Sequence, residues 1–188
     1  VPFGPERAWL ALPASEPARV AERLRLRTVL PANWLAGLAE TDTAGVFVSP
    51  AVRGTTWVVG ADLRPGVVLG IEALAELVTT LSRDHGRAVW CVGDDRTDTH
   101  GWLLAERGEL QRGYLYDGER GHVFWHGELT AAEVDLGCFV DDPRDRSDDD
   151  DKWWPDARVV LALAERFGAD PRGLVGAAAG GVGVVGRL

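Results

Sequence analysis

Between residues 87 and 129 the chain runs through four strand-like stretches with very little between them: Arg87–Gly93, Thr99–Arg107, Glu109–Asp117 and Gly121–Leu129. Arg107-Gly108 and Asp117-Gly118 supply residues suited to tight turns. A parallel crossover needs about a dozen residues or more, so each neighbouring pair must run antiparallel. This meander decides the fold class. It is α+β, with a mostly antiparallel sheet of about six or seven strands and helices packed on it.

Local patterns fill in the rest. Ala8–Leu12 reads as a first strand, with Ser15 as cap of a helix from Pro17 to Leu26. Residues 31–39 suit a second short helix. Runs at 45–49 and 55–60 flank Arg53-Gly54 as a hairpin. Apolar residues at spacings of three and four predict a helix over 70–84, stopped by Gly86. Thr130 and Glu133 have capping-box spacing, and Pro155 suits the start of a last helix over 155–168. Residues 1–175 are expected to form a single domain. The Gly/Ala/Val-rich stretch 176–188 lacks the periodicity of a packed element and is expected to be a flexible tail.

Charge narrows the partners. The net charge is −9, from 29 acidic against 20 basic residues, and Lys152 is the only Lys. Nucleic acid as the main ligand needs a concentrated basic footprint that the sequence lacks. A basic protein partner suits the charge. No secretory signal and no apolar run of ~18 residues is present, so no membrane span and a cytoplasmic location are expected. Cys91 and Cys138 are expected to be buried reduced thiols, with a disulfide between them left open by spacing alone.

Several runs together resemble an uncharacterised bacterial family. They are Phe47-Val48-Ser49-Pro50 with Trp57-Val58-Val59-Gly60, and His100-Gly101-Trp102. The stretch from Arg112-Gly113-Tyr114-Leu115-Tyr116-Asp117-Gly118 through Trp125, Gly127-Glu128-Leu129-Thr130 and Leu136-Gly137 matches best, and Pro155-Asp156 to Asp170-Pro171 continues the likeness. The resemblance spans about residues 8–174. It implies a shared fold and carries over no catalytic residue. The acidic insert at 141–151 departs from the family pattern.

Chemical motifs are few. Gly181-Val182-Gly183-Val184-Val185-Gly186 fits G-x-G-x-x-G by letter, but a dinucleotide site needs that turn to open a helix, and too few residues follow. Ser15, Ser49, Ser82 and Ser147 lie in no nucleophile elbow. Asp148-Asp149-Asp150-Asp151 lacks the alternation of a calcium loop. No cofactor and no metal are therefore expected.

Two readings follow. The first is a non-catalytic interaction module, an immunity-type or accessory protein that grips a basic protein partner through Asp148, Asp149, Asp150 and Asp151, with Trp153 and Trp154 as aromatic anchors. The second is an enzyme or small-ligand-binding protein with a polar pocket at the sheet's edge. That pocket uses Asp94, Asp98, His100 and His122 with Trp102. The turn lengths place His100, Leu115 and His122 abreast, with Trp102 and Phe124 next along the same face.

Overall fold

The computed structural model describes residues 3–139, 154–177 and 180–188. In chain order the elements are β1 (Trp9–Pro13), α1 (Pro17–Arg23), β2 (Arg27–Ala32), α2 (Trp34–Glu40), β3 (Val46–Val48) and β4 (Thr55–Val59). Then come α3 (Ile71–His85), β5 (Arg87–Asp94), β6 (Thr99–Glu106), β7 (Glu109–Asp117), β8 (Gly121–His126), α4 (Ala131–Asp135), α5 (Ala157–Arg166) and β9 (Gly183–Arg187). Among the described residues these strands form one antiparallel sheet of nine, in the order β2-β9-β3-β4-β1-β5-β6-β7-β8. The meander stands as expected: β5 to β8 pair consecutively and antiparallel.

The strand count exceeds six or seven because two elements were hidden. The first helix ends at Arg23 rather than Leu26, and Arg25 and Thr28 both take positive φ as the chain reverses into β2. Pro31 is tolerated there because β2 is an edge strand, where a missing N–H breaks no ladder bond. The second correction concerns the expected tail. Residues 183–187 form a strand clamped between β2 and β3, with Val185 opposite Leu30 on one side and Phe47 on the other. Small residues signalled mobility in isolation; in the sheet they allow close approach.

The sheet separates two cores. On one face α1 and α3 cover Leu10, Leu12, Val58, Trp90, Leu103 and Leu115. On the other, α2, α5 and the 138–139 segment cover Trp9, Phe47, Trp57, Trp102 and Tyr114. One row on this second face crosses all nine strands, running Leu30, Val185, Phe47, Val59, Trp9, Cys91, Trp102, Tyr114, Trp125. Cys91 and Cys138 are both free and buried. Burial raises both thiols, Cys138 to about 12, so both stay protonated at neutral pH.

Helix α5 is seated by a missing side chain. A Cβ on Gly93 would come within 3.2 Å of Ala157 Cα and 3.3 Å of Val160 Cβ, so the first turn of α5 rests on β5 only because position 93 is glycine. Pro155 lies just outside this helix; Asp156 is the cap, accepting from Val159 N at 2.8 Å. No described helix is long and apolar enough to cross a membrane.

The β9 assignment has a direct check. A Cβ on Gly183 would stand 2.3 Å from Val48 O and 2.6 Å from the Phe47 ring. Gly183→Val is expected to destabilise the protein by about 1–3 kcal/mol in urea unfolding. A free tail would accept valine with no change in midpoint.

Candidate functional site

The β6–β8 end of the sheet is organised by two β-bulges. In the first, Leu104 faces Arg112 while Ala105 faces Leu110, leaving Gln111 over. The extra residue sends Leu110 to the α3 face and Arg112 to the α5 face, although they are two apart in the strand. Arg112 is thereby fully buried, and so is its partner Glu133.

The Glu133 carboxylate is saturated. Its Oε1 accepts from Arg112 Nε at 2.8 Å and from the Trp102 indole N–H at 3.0 Å. Its Oε2 accepts from Thr130 N and Oγ1, each at 2.7 Å, completing the expected capping box of α4. Arg112 also donates through Nη1 to the carbonyls of Gly113 and His126, and its guanidinium lies 4.0 Å from the Trp125 ring centroid. Burial pulls the Arg112 pKa below its ordinary value, and the Glu133 carboxylate beside it opposes that pull. Phe139 completes the cage against Tyr114, Trp125 and Trp102.

One row further along the strands, the face turns polar. His100, Tyr116 and His122 lie abreast on β6, β7 and β8. Tyr116, not Leu115, stands between the two imidazoles. The first bulge explains the difference: the register of the Arg107-Gly108 turn would set Leu115 opposite His100, and the extra Gln111 sets Tyr116 there instead. At the second, Leu115 faces Phe124 while Tyr116 faces His122, with Val123 the extra residue. Phe124 consequently packs on the α3 face with Leu115 rather than beside Trp102.

His100 is only 1% exposed, yet it meets two carboxylates that are largely exposed. Its Nε2 is 3.2 Å from Asp98 Oδ1 and 3.7 Å from Asp95 Oδ1, whose side chains are 57% and 65% exposed. A carboxylate only accepts, so Nε2 is the donor to Asp98. Nδ1 of the same ring is buried without a hydrogen bond. Asp95 also accepts from Ala157 N at 3.0 Å, tying the β5–β6 turn to the start of α5. Asp98 takes a positive φ of 49°, and its carbonyl accepts from Gly118 N. Burial, the Asp98 charge and a hydrogen bond to Asp98 all hold the Tyr116 hydroxyl above its usual range, so it remains a neutral donor.

Trp154, half-exposed, closes this corner. Its ring lies flat on His122, with centroids 5.5 Å apart and planes 7° from parallel, and it meets Tyr116 at 5.3 Å. His122 is held from below by the Tyr114 hydroxyl, 2.8 Å from Nδ1.

The residues singled out in the sequence therefore divide. Asp98, His100 and His122 share one corner of one face. Asp94 does not join them: it lies on the α3 face with Val92, where it pairs with Arg96 and with Arg64 at 3.2 Å. Burial works to raise its carboxyl, but Arg96 hydrogen bonds and the Arg96 and Arg64 charges outweigh that and hold it below the ordinary value. Trp102 is on the right face but fully buried, its N–H spent on Glu133. Trp154 joins the histidine corner. Asp148, Asp149, Asp150, Asp151 and Trp153 lie outside the described residues. Tyr116 and Asp95 were missed as site residues; correct strand parity at the first bulge would have found the tyrosine. Gly183 and Gly186 serve strand packing in β9, since a Cβ on Gly186 would meet Leu26 and Arg27 at 3.0–3.1 Å.

No family model, curated protein or solved structure matches the chain.

The buried pair beneath the corner makes a testable claim. Arg112→Met or Glu133→Leu alone is expected to lose about 3–5 kcal/mol, because each leaves a buried charge without its partner. The double variant should lose far less than the sum of the two in a denaturation cycle. Additive losses would show that the two groups stabilise the fold independently.

Proposed function

We propose that the chain is a non-catalytic binding module for a basic protein, and that the corner formed by Asp95, Asp98, Tyr116, His122 and Trp154 receives a cationic side chain of that partner. One observation carries the reading. Two largely exposed carboxylates converge beside a half-exposed indole ring, and neither carboxylate has an arginine partner among the described residues.

Other features support it. A guanidinium or ammonium group seated there gains charge attraction from Asp95 and Asp98 and the π faces of Trp154 and Tyr116. Trp154 is already packed against His122 and Tyr116, so little side-chain freedom is lost on binding. A net charge of −9 steers a basic partner toward the surface. Both thiols are held protonated in the core, which removes them as nucleophiles. An immunity-type or accessory protein, neutralising or escorting a basic partner, has these properties. The ligand-pocket reading loses Asp94 to the other face and Trp102 to the interior.

A capped peptide alternating Arg and Gly serves as probe, followed by tryptophan fluorescence. Binding is expected to weaken at least tenfold in Asp98→Asn and in Trp154→Ala, and to weaken further as salt rises. The same peptide with citrulline for arginine should bind little. Equal binding by wild type and both variants would remove this corner from the mechanism.

A further inference from the structure

The α3 face of the sheet ends in an uncovered strand. Helix α3 lies over β5, β6 and β7, and α1 lies over β3 and β9. Strand β8, at the edge, has no described helix above it on this face. Both bulges enlarge the apolar surface left there. The first sends Leu110 to this face, and the second turns the consecutive residues Val123 and Phe124 to it together. All three side chains are only partly buried. Gly113 leaves the space that the Phe124 ring occupies, since a Cβ there would stand 2.5 Å from it.

Along this strip runs a groove of about 440 Å³, floored by Leu110 and Phe124 and walled on one side by α3 from Glu72 to Arg83. Its position is that of a second helix. Packed helices lie about 8–10 Å apart, and two strand spacings come to roughly 9.6 Å. Helix α3 spans β5 to β7, so a helix laid beside it at that distance rests over β8. Ala75 and Thr79, both small, face the groove and let such a helix approach closely. Glu72 to Arg83 is about three turns, or roughly 16 Å. The charges along this wall are exposed, and none forms an ion pair among the described residues. Glu72 and Glu76 stand one turn apart at the start of α3, and Arg83 lies in its last turn.

We propose that this groove seats an amphipathic helix of a protein partner, antiparallel to α3. Its apolar side rests on Leu110, Val123 and Phe124, and basic side chains near its C-terminal end meet Glu72 and Glu76. The antiparallel direction satisfies two demands together. Basic residues suit the C-terminal end of any helix and acidic residues its N-terminal end. That order sets basic groups against Glu72 and Glu76 and acidic groups against Arg83. A helix is favoured over an added strand because the uncovered groups are side chains on the sheet's face, which a strand at the β8 edge would leave in water. The inference does not rest on the cationic corner, which lies on the α5 face.

The probe is a capped, fluorescein-labelled peptide of about four helical turns. It carries Leu at the a and d positions, Glu in the first half and an equal number of Arg in the second, with Ala and Gln elsewhere. A counterpart of the same composition exchanges the Glu and Arg positions, so net charge cannot separate the two. Anisotropy gives the affinities, and 1H–15N spectra of the labelled protein give the place of binding. Wild type is expected to bind the first peptide at least tenfold more tightly than the counterpart. The triple variant Glu72→Arg/Glu76→Arg/Arg83→Glu should invert that preference. In wild type the largest shifts should fall on the amides of Leu110, Val123 and Phe124, a readout that needs no variant to fold. Equal binding of the two peptides, an unchanged preference in the triple variant, or shifts confined to His100 and Tyr116 overturns the proposal. So does new hydrogen-exchange protection along the outer edge of β8, which marks an added strand. The Arg–Gly peptide reads the other face, so either site can fail without the other.

Discussion

A carboxylate taken out of water must find a donor for each of its lone pairs, and Glu133 finds four among Arg112, Trp102 and Thr130. Those bonds fasten α4 to the middle of β6 and β7. The same arginine holds the β7–β8 pairing from inside through the carbonyls of Gly113 and His126. Trp125 lies over its guanidinium, and Phe139 packs against Trp125 and Tyr114. Tyr114 in turn supports His122, on which Trp154 lies. The exposed aromatic surface is thus connected to a buried charge pair through a continuous series of packed rings. Its geometry is set by an interaction that water cannot compete for.

The sheet gives its α5 face two chemically opposed ends. At the His100 end two largely exposed carboxylates, Asp95 and Asp98, stand beside the half-exposed Trp154 ring without an arginine partner among the described residues. At the Trp57 end the buried indole N–H has no acceptor, and Arg53 donates to Gly173 O. Between them runs the apolar row from Val185 to Trp125, dry and closely packed, so the two ends share a scaffold without sharing solvent. Helix α5 reaches both. Its first turn is held by Asp95, and its last turn borders a cavity beside Trp57.

How much of this was legible residue by residue follows from the range of each signal. The capping box at Thr130 and Glu133 was visible because its spacing is a local requirement of a helix start. That the same glutamate neutralises Arg112 was not visible, because the two are 21 residues apart and meet only through the turn after β8. His100 and His122 were correctly placed on one face, yet the residue between them was misread. The bulge at Gln111 adds one residue to β7 and inverts the face of everything beyond it, while the hydrophobic alternation on either side stays intact. Trp154 was noted as an aromatic anchor near acidic residues, and its stacking on His122 depends on where α5 docks.

Turn chemistry, apolar period and connection length act over a few residues, and from these the sequence determined the antiparallel meander, the long α3 helix and the α+β class. The order of the nine strands was decided only in the tertiary structure. Strand β9 has too few large apolar residues to declare itself, and it becomes a strand because β2 and β3, about 140 residues or more earlier in the chain, leave a gap that only small side chains can enter. The functional corner was decided in the same way. Its residues come from three neighbouring strands, a turn and the approach to α5, and no local rule relates them until backbone pairing has set which side chains share a face.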